Sequence, residues 1–243
     1  MDLIKKIIKL YLIISNNALR HGILHGIFAT VEHNELLNNL NPQPKTLIDI
    51  GSNKGQFLIF ADSIFNLKKI HSFEPIAEMI KIQKKAFRSI KYKFYNFALG
   101  NKNTKRKFFI TNRMDSSSFL KFNQGKLSIK NYKIEEERTI AIKKIDKVFS
   151  KKKVSLPIIM KIDVQGFEME VLLGAKNILK KCEYILTEVS NNEVYKNQKK
   201  KNVVIKYLKK NGYKIYRKTK RQPINGTSFF QEDLLFKKIN KSK

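Results

Sequence analysis

The chain of 243 residues has one cysteine, no tryptophan, and 20 acidic residues against 50 lysines and arginines. Cys182 cannot close an internal disulfide, so no oxidative framework holds the fold and a reducing compartment, the cytoplasm by default, is expected. The four histidines and the cysteine show neither H-E-x-x-H nor C-x-x-C spacing, and a zinc centre is not expected. There is no G-x-x-x-x-G-K-[ST] phosphate loop, and no G-x-G-x-x-G of the kind that accompanies a pyrophosphate-bearing dinucleotide. The N-terminal apolar run Leu3–Ile14 is interrupted by Lys5, Lys6 and Lys9 and is short of the ~20 apolar residues that a bilayer-spanning helix needs, so no transmembrane segment is expected. It also lacks the unbroken core of a signal peptide, and Ser15-Asn16-Asn17-Ala18 is a poor cleavage site. The favoured reading is a helix packed on the flank of the domain; the alternative is a basic amphipathic helix resting peripherally on the inner face of a membrane.

The excess of base gives a net charge of +30, which taken alone points to a polyanion such as RNA or an acidic membrane surface. Lysines far outnumber arginines and run from Lys5 to Lys243, which fits drift toward A/T-rich codons better than a dedicated nucleic-acid surface. The length suits one α/β domain with a modest addition: residues 1–44 as an N-terminal helical extension and residues 45–243 as the domain.

What is present begins at Thr46-Leu47-Ile48-Asp49-Ile50-Gly51-Ser52-Asn53-Lys54-Gly55, an apolar run that ends in an acid and a glycine-spaced turn. Gly51 and Gly55 permit conformations and close approaches that a Cβ would block, and Gln56–Ile64 has helical apolar spacing. A second run, Ile70–Phe73, ends in Glu74-Pro75 about 20 residues on, where a carboxylate holds ribose hydroxyls in Rossmann-like halves. A helix with apolar spacing from Ile76 to Phe87 and a third strand at Tyr92–Asn96 then follow, giving β-α-β-α-β. Further strands are expected at Arg106–Ile110, Arg138–Ile142, Pro157–Asp163, Tyr184–Val189, Tyr213–Arg217 and Asp233–Phe236, with helices at Gly166–Lys180 and Asn202–Lys210 and a loop through Pro223 and Gly226. Residues 111–137 form a polar insertion, a lid or acceptor loop. Asp49, Glu74, Asp163 and Glu188 all fall at carboxyl ends of strands, the ligand edge of an open parallel sheet. A cofactor with adenosine and no phosphate fits this pattern.

With D-I-G-S-N-K-G, F-E-P, N-F-A-L-G, S-S-S-F-L, K-I-D-V-Q-G-F-E-M-E-V-L-L-G-A and T-E-V in this order, the chain resembles the FkbM-type family of S-adenosylmethionine-dependent methyltransferases over roughly residues 46–237. The resemblance implies a Rossmann-like class I methyltransferase fold, with a seven-stranded, mostly parallel sheet, an antiparallel closing strand and helices on both faces. It implies S-adenosyl-L-methionine as cofactor and O-methylation of a hydroxyl on a sugar, glycan or other small metabolite. Carried onto this sequence, Asp49, Gly51, Ser52, Asn53 and Gly55 form the cofactor loop, Glu74 holds the ribose, and Asn96, Ala98 and Leu99 border the adenine. Asp163 orients the acceptor hydroxyl or takes its proton, and Lys161, on the same strand face, tunes that acid. Gln165 stands where many relatives have Glu and is left outside the expected site.

His33 is read as a roof over the acceptor pocket or as a structural histidine. Glu188 either contacts substrate or caps the following helix, and Ser117 and Ser118 either contact a ligand or belong to a polar loop. Glu168 and Glu170 suit the first turn of a helix, and His71 suits a strand facing helices. Cys182 is not part of a Pro-Cys pair at a strand tip, which argues against cysteine-adduct cytosine methylation, and the absence of N-P-P-[YF] argues against amino-group methylation of bases or glutamine. Two other functions stay open: an RNA ribose methyltransferase, resting on the +30 charge alone, and a non-catalytic cofactor-binding partner protein.

Overall fold

Alternation along the central strands builds two cores, one on each face of a single sheet. A computed structural model describes residues 11, 13–123, 133–224 and 229–239. In chain order it holds α1 (Asn17–Leu24), α2 (Asn34–Leu37), β1 (Thr46–Ile50), α3 (Gln56–Ile64), β2 (Lys69–Phe73), α4 (Ala77–Ala86), β3 (Tyr92–Tyr95), β4 (Ala98–Leu99), β5 (Thr104–Thr111) and β6 (Ile134–Lys143). There follow α5 (Ile145–Phe149), β7 (Ile158–Ile162), α6 (Glu168–Leu173), α7 (Lys176–Leu179), β8 (Cys182–Ser190), α8 (Lys201–Lys210), β9 (Tyr213–Lys218), β10 (Gln222–Pro223) and β11 (Phe230–Lys238).

Strands β3-β2-β1-β7-β8 are parallel neighbours, and β11 closes the sheet antiparallel to β8. Both β9 and β10 pair with the outer edge of β11, so eight strands occupy seven positions. Leu47, Ile159, Tyr184, Leu186 and Leu235 pack on one face with α3 and the N-terminal segment through Leu19, Ile27, Leu36 and Leu37. Ile48, Ile50, Met160, Ile162, Ile185, Leu234 and Phe236 pack on the other face with Val171, Leu172, Val204 and Leu208 of α6 and α8. A period of two on buried parallel strands therefore fixes which side chains share a face. Among the described residues no helix is long and apolar enough to cross a membrane.

Two expectations change. Strands β5 and β6 exceed the expected spans and form a second, three-stranded sheet with β4, because Phe108, Ile110 and Ile142 bury against Phe119 and Phe167. The helix expected over Gly166–Lys180 is two short helices broken at Gly174, where the backbone abuts Gly100: a Cβ on Gly174 would lie 2.1 Å from the Gly100 carbonyl oxygen. Residues 124–132 of the insertion, Gly226 of the expected loop, and most of Leu3–Ile14 lie outside the described residues.

The break at Gly174 can be tested directly. Gly174→Ala is expected to cost about 1–3 kcal/mol through forced displacement of the 98–101 backbone. Urea unfolding with an unchanged midpoint would show that the contact relaxes without cost.

Candidate active site

Where β1 and β7 end side by side, the backbone crowds. An ideal Cβ on Gly51 (φ +74°) would sit 1.8 Å from the carbonyl oxygen of Asp163, so only glycine fits. Asn53 also takes a left-handed conformation, and the turn delivers the chain to α3 at Gly55. Gly55 itself is needed for packing, since its Cβ would meet the Phe87 ring at 2.8 Å.

Around this turn lies a cavity of about 260 Å³, bordered by Gly51, Ser52, Asn53, Glu74, Ala98, Leu99, Lys161 and Asp163. Residues outside the expected set border it as well: Phe73 and Phe97 from the central sheet edge, Thr30 from the N-terminal segment, Gln56 and Phe57 from the start of α3, and Gln165 after β7. Met114, Asp115 and Ser117 bring the insertion to its rim. His33 also borders it, placing the N-terminal extension at the site.

Glu74, nearly fully buried at the end of β2, accepts hydrogen bonds from the Asn53 N–H (2.9 Å) and the Ile76 N–H (2.8 Å), one to each carboxylate oxygen. Burial pushes its pKa up to about 7, against the pull of these two amides. Each oxygen retains a lone pair.

Asp49 lies beneath the cavity lining. It is fully buried, and neither carboxylate oxygen has a hydrogen-bond partner. Burial pushes it up to about 6 although Lys161 Nζ stands 3.8 Å away. Lys161, opposite Asp49 in the β1–β7 register, also pairs with Asp163 (3.2 Å) and donates to the Gly51 carbonyl (3.2 Å). Burial alone would lower the lysine; Asp163 and Asp49 outweigh it and hold the ammonium charged.

Asp163 is about a third exposed. Its second oxygen accepts from Gln165 Nε2 (2.7 Å), and the orientation of that amide is fixed because Tyr195 donates its hydroxyl hydrogen to Gln165 Oε1 (2.8 Å). Gln165 is thus part of the site, contrary to the sequence expectation. Its signal was its place two residues after Asp163 in a turn where Gln165 and Gly166 both have positive φ. Glu168 accepts from the N–H groups of Val164 (3.2 Å) and Gly166 (2.9 Å) and so secures the same turn.

His33 Nε2 faces Asp233 at 3.5 Å and Nδ1 faces the Thr30 carbonyl at 3.3 Å. Burial would disfavour the imidazolium, but Asp233 overrides it and raises the pKa. Two acceptors on the two ring nitrogens fit the doubly protonated form.

Other expected residues stand off the cavity. Asn96 donates to the carbonyls of Glu74 and Pro75 (both 3.0 Å) and steadies that turn from outside. The Ser118 hydroxyl donates to the Gln165 carbonyl (2.6 Å). The Ser52 residue borders the cavity, but its hydroxyl is engaged by Ser72 (2.7 Å) and Gln83 (2.9 Å). Glu188 lies opposite Asp233 in the β8–β11 register; burial first, then the charges of Asp163 and Asp233, raise its pKa well above the ordinary value.

A Rossmann-like sheet, a glycine turn and a carboxylate at each of two strand ends define a class I methyltransferase site. The fold is shared with an assigned S-adenosylmethionine-dependent methyltransferase of Listeria monocytogenes (12% identity, 85% of this chain and 97% of that chain, TM-score 0.50). It is shared equally with an assigned tRNA (m1A22) methyltransferase of Streptococcus pneumoniae in complex with S-adenosyl-L-methionine (12% identity, 87% and 74%, TM-score 0.50). None of the curated proteins compared matches the chain. The family model of the methyltransferase FkbM domain matches residues 49–215, and the chain belongs to that family. It is an S-adenosylmethionine-dependent methyltransferase.

The Glu168 carboxyl gives a stability signature. Burial pushes it up to about 7, above the ordinary 4.5, so the folded state holds its proton more tightly than the unfolded chain does. Below pH ~4.5 the group costs nothing; as pH rises toward 7 the native state is increasingly penalised. Glu168→Gln keeps a carbonyl acceptor without the charge. Its melting temperature is expected to gain on the wild type between pH 5 and pH 8, and a pH-independent difference would contradict the assignment.

Proposed function

We propose that the chain transfers a methyl group to a hydroxyl of a sugar, glycan or other small metabolite. The observation that carries this reading is Asp163: a partly exposed carboxylate at the cavity, held by Lys161 on one oxygen and Gln165 on the other. S-adenosylmethionine, when bound, supplies a methyl carbon already activated by its sulfonium. The chain's own residues then bind, align and exclude water, which is most of what an in-line displacement requires.

The fit to the cofactor rests on two features. Glu74 offers two oxygens, each with a lone pair left after the backbone amides, suited to a pair of ribose hydroxyls. Asp49 holds two buried oxygens that no protein donor satisfies, a cost of order 1–3 kcal/mol that a cationic or N–H-bearing ligand nearby would relieve. Gly51 and Asn53 shape the turn, Ser52 braces it, and Ala98 and Leu99 with Phe97 supply an apolar border for adenine. At the acceptor side Asp163 receives the hydroxyl hydrogen bond and takes the proton as the oxygen gains the methyl group, while His33, Ser117 and Gln56 offer further polar contacts.

An RNA ribose acceptor is the second reading, supported by the +30 charge. Among the described residues the cavity's cationic side chains, Lys161 and His33, are both committed to carboxylates and no arginine borders it, which favours an uncharged acceptor over a phosphodiester. Salt separates the readings: activity on RNA should collapse between low and moderate salt, whereas activity on a neutral glycan should hardly change.

Calorimetric titration with S-adenosylmethionine and S-adenosylhomocysteine, with NAD and ATP as controls, is expected to show saturable binding of the first two only. Asp49→Ala and Glu74→Ala should each weaken it by more than about tenfold. Because Glu74 must lose its proton to accept hydroxyl donors, affinity should fall as pH drops below about 7, with proton release on binding, and Glu74→Gln should flatten that dependence. No binding of either ligand would sink the proposal for this site. In a screen of hydroxylated glycans, Asp163→Asn should lower turnover by about 10²–10⁴; unchanged turnover would assign the acid a passive role.

A further inference from the structure

The N-terminal segment is tied firmly to the domain, yet it leaves large apolar side chains in solvent. Leu19 and Gly22 of α1 face inward, with Gly22 against Ile59 of α3, and Ile27 is fully buried. His21 Nε2 lies 3.2 Å from the carbonyl oxygen of Ala86, which joins α1 to the carboxyl end of α4. On the outside Leu24 is 82% and Phe28 65% exposed, and Ile90, four residues beyond Ala86, is 80% exposed.

Beside these side chains the fully exposed charges are basic, and the nearby Asp62 is taken up by Lys91 at 2.6 Å. Arg20 on α1 and Lys84, Lys85 and Arg88 around Ala86 are exposed. There is no acid from Leu3 to Val31 or from Met79 to Met114. The His21–Ala86 contact therefore assembles, from two stretches far apart in sequence, one basic flank studded with apolar residues. Two residues past Phe28, Thr30 borders the cavity, so this flank continues to the rim of the site.

We infer that this flank, carried by Arg20, Leu24, Phe28, Lys84, Arg88 and Ile90, docks the enzyme on an anionic lipid bilayer. Lysines and arginines near such a surface meet its negative potential, while exposed apolar side chains enter the boundary between headgroups and acyl chains. Nucleic acid would satisfy the cations, but it offers no apolar phase for Leu24 and Ile90. Docking is peripheral, and it places the cavity rim beside the membrane surface. The inference is independent of the acceptor proposed above.

The test is sedimentation of the full chain with phosphatidylcholine vesicles, with and without phosphatidylglycerol. The wild type is expected to partition onto the anionic vesicles. Leu24→Ser/Phe28→Ser leaves the net charge unchanged and should weaken that partition by about tenfold or more, with folding checked by circular dichroism. Ile215→Ser, which removes an exposed apolar residue from β9, should leave partition unchanged. The inference is overturned by no partition onto anionic vesicles, by equal partition of the double variant, or by a loss of single-stranded RNA binding by that variant as large as its loss of lipid binding. Dissociation of a lipid-free dimer by the double variant in sedimentation equilibrium would assign the patch to self-association and overturn it as well.

Discussion

The site depends on an ammonium group placed inside the sheet edge. Lys161 is 7% exposed, and a lysine at that depth keeps its charge only if opposite charges and hydrogen-bond acceptors surround it. Asp49 and Asp163 provide the charges and the Gly51 carbonyl provides an acceptor, so β1, β7 and the turns after both strands must end together. Gly51 is fixed by the same demand, because the backbone on which Asp163 sits comes too close for any side chain there. Removing Lys161 would leave two carboxylates uncompensated; removing either acid would leave a cation without part of its support.

Strand parity extends this arrangement across the sheet. Asp49 lies on the face of Leu47, Lys161 and Asp163 on that of Ile159, Glu188 on that of Leu186, and Asp233 on that of Leu235, all one face. The N-terminal extension covers that face, which is why His33 arrives over the charged cluster and not elsewhere. Thr30 and His33 of this segment are thereby part of the site's construction. The chain is strongly basic as a whole, yet the acids gather at this edge, where Glu74, Asp49 and Glu168 are all pushed toward neutrality by burial. The opposite treatment is given to polar groups nearby: Ser52, Ser72 and the fully buried Gln83 satisfy one another and brace the glycine turn without charge.

The polar insertion and the turn after β8 meet at Asp163. The Tyr195 hydroxyl, whose single hydrogen goes to Gln165 Oε1, also stands 3.1 Å from the Ser116 carbonyl oxygen, and its ring lies against Gly166, where a Cβ would come within 3.1 Å. The orientation of the Asp163 carboxylate is therefore tied to the seating of the insertion, through a single glutamine amide.

Local signals carried most of the strand edge. The apolar runs, the acids at their ends, Gly51 and Gly55 are local features, so the parallel sheet, the placement of Glu74 and Asp163 and the family were legible in the sequence, because strand burial and glycine turns leave periodic and compositional marks. The three-dimensional arrangement decided the rest. Register placed Lys161 between two acids; the Gly100–Gly174 approach split one helical pattern into two helices; the Gln165–Tyr195 bond brought a residue into the site whose type alone had argued against it. Asn96 reads as a cofactor contact in sequence and holds the Glu74–Pro75 turn, and of the two readings open for Ser118 its hydroxyl takes the structural one on the Gln165 carbonyl, since spacing along a chain says where a side chain starts and not what it meets. Only packing between residues far apart could place His33 over the cavity and set α1 beside the end of α4.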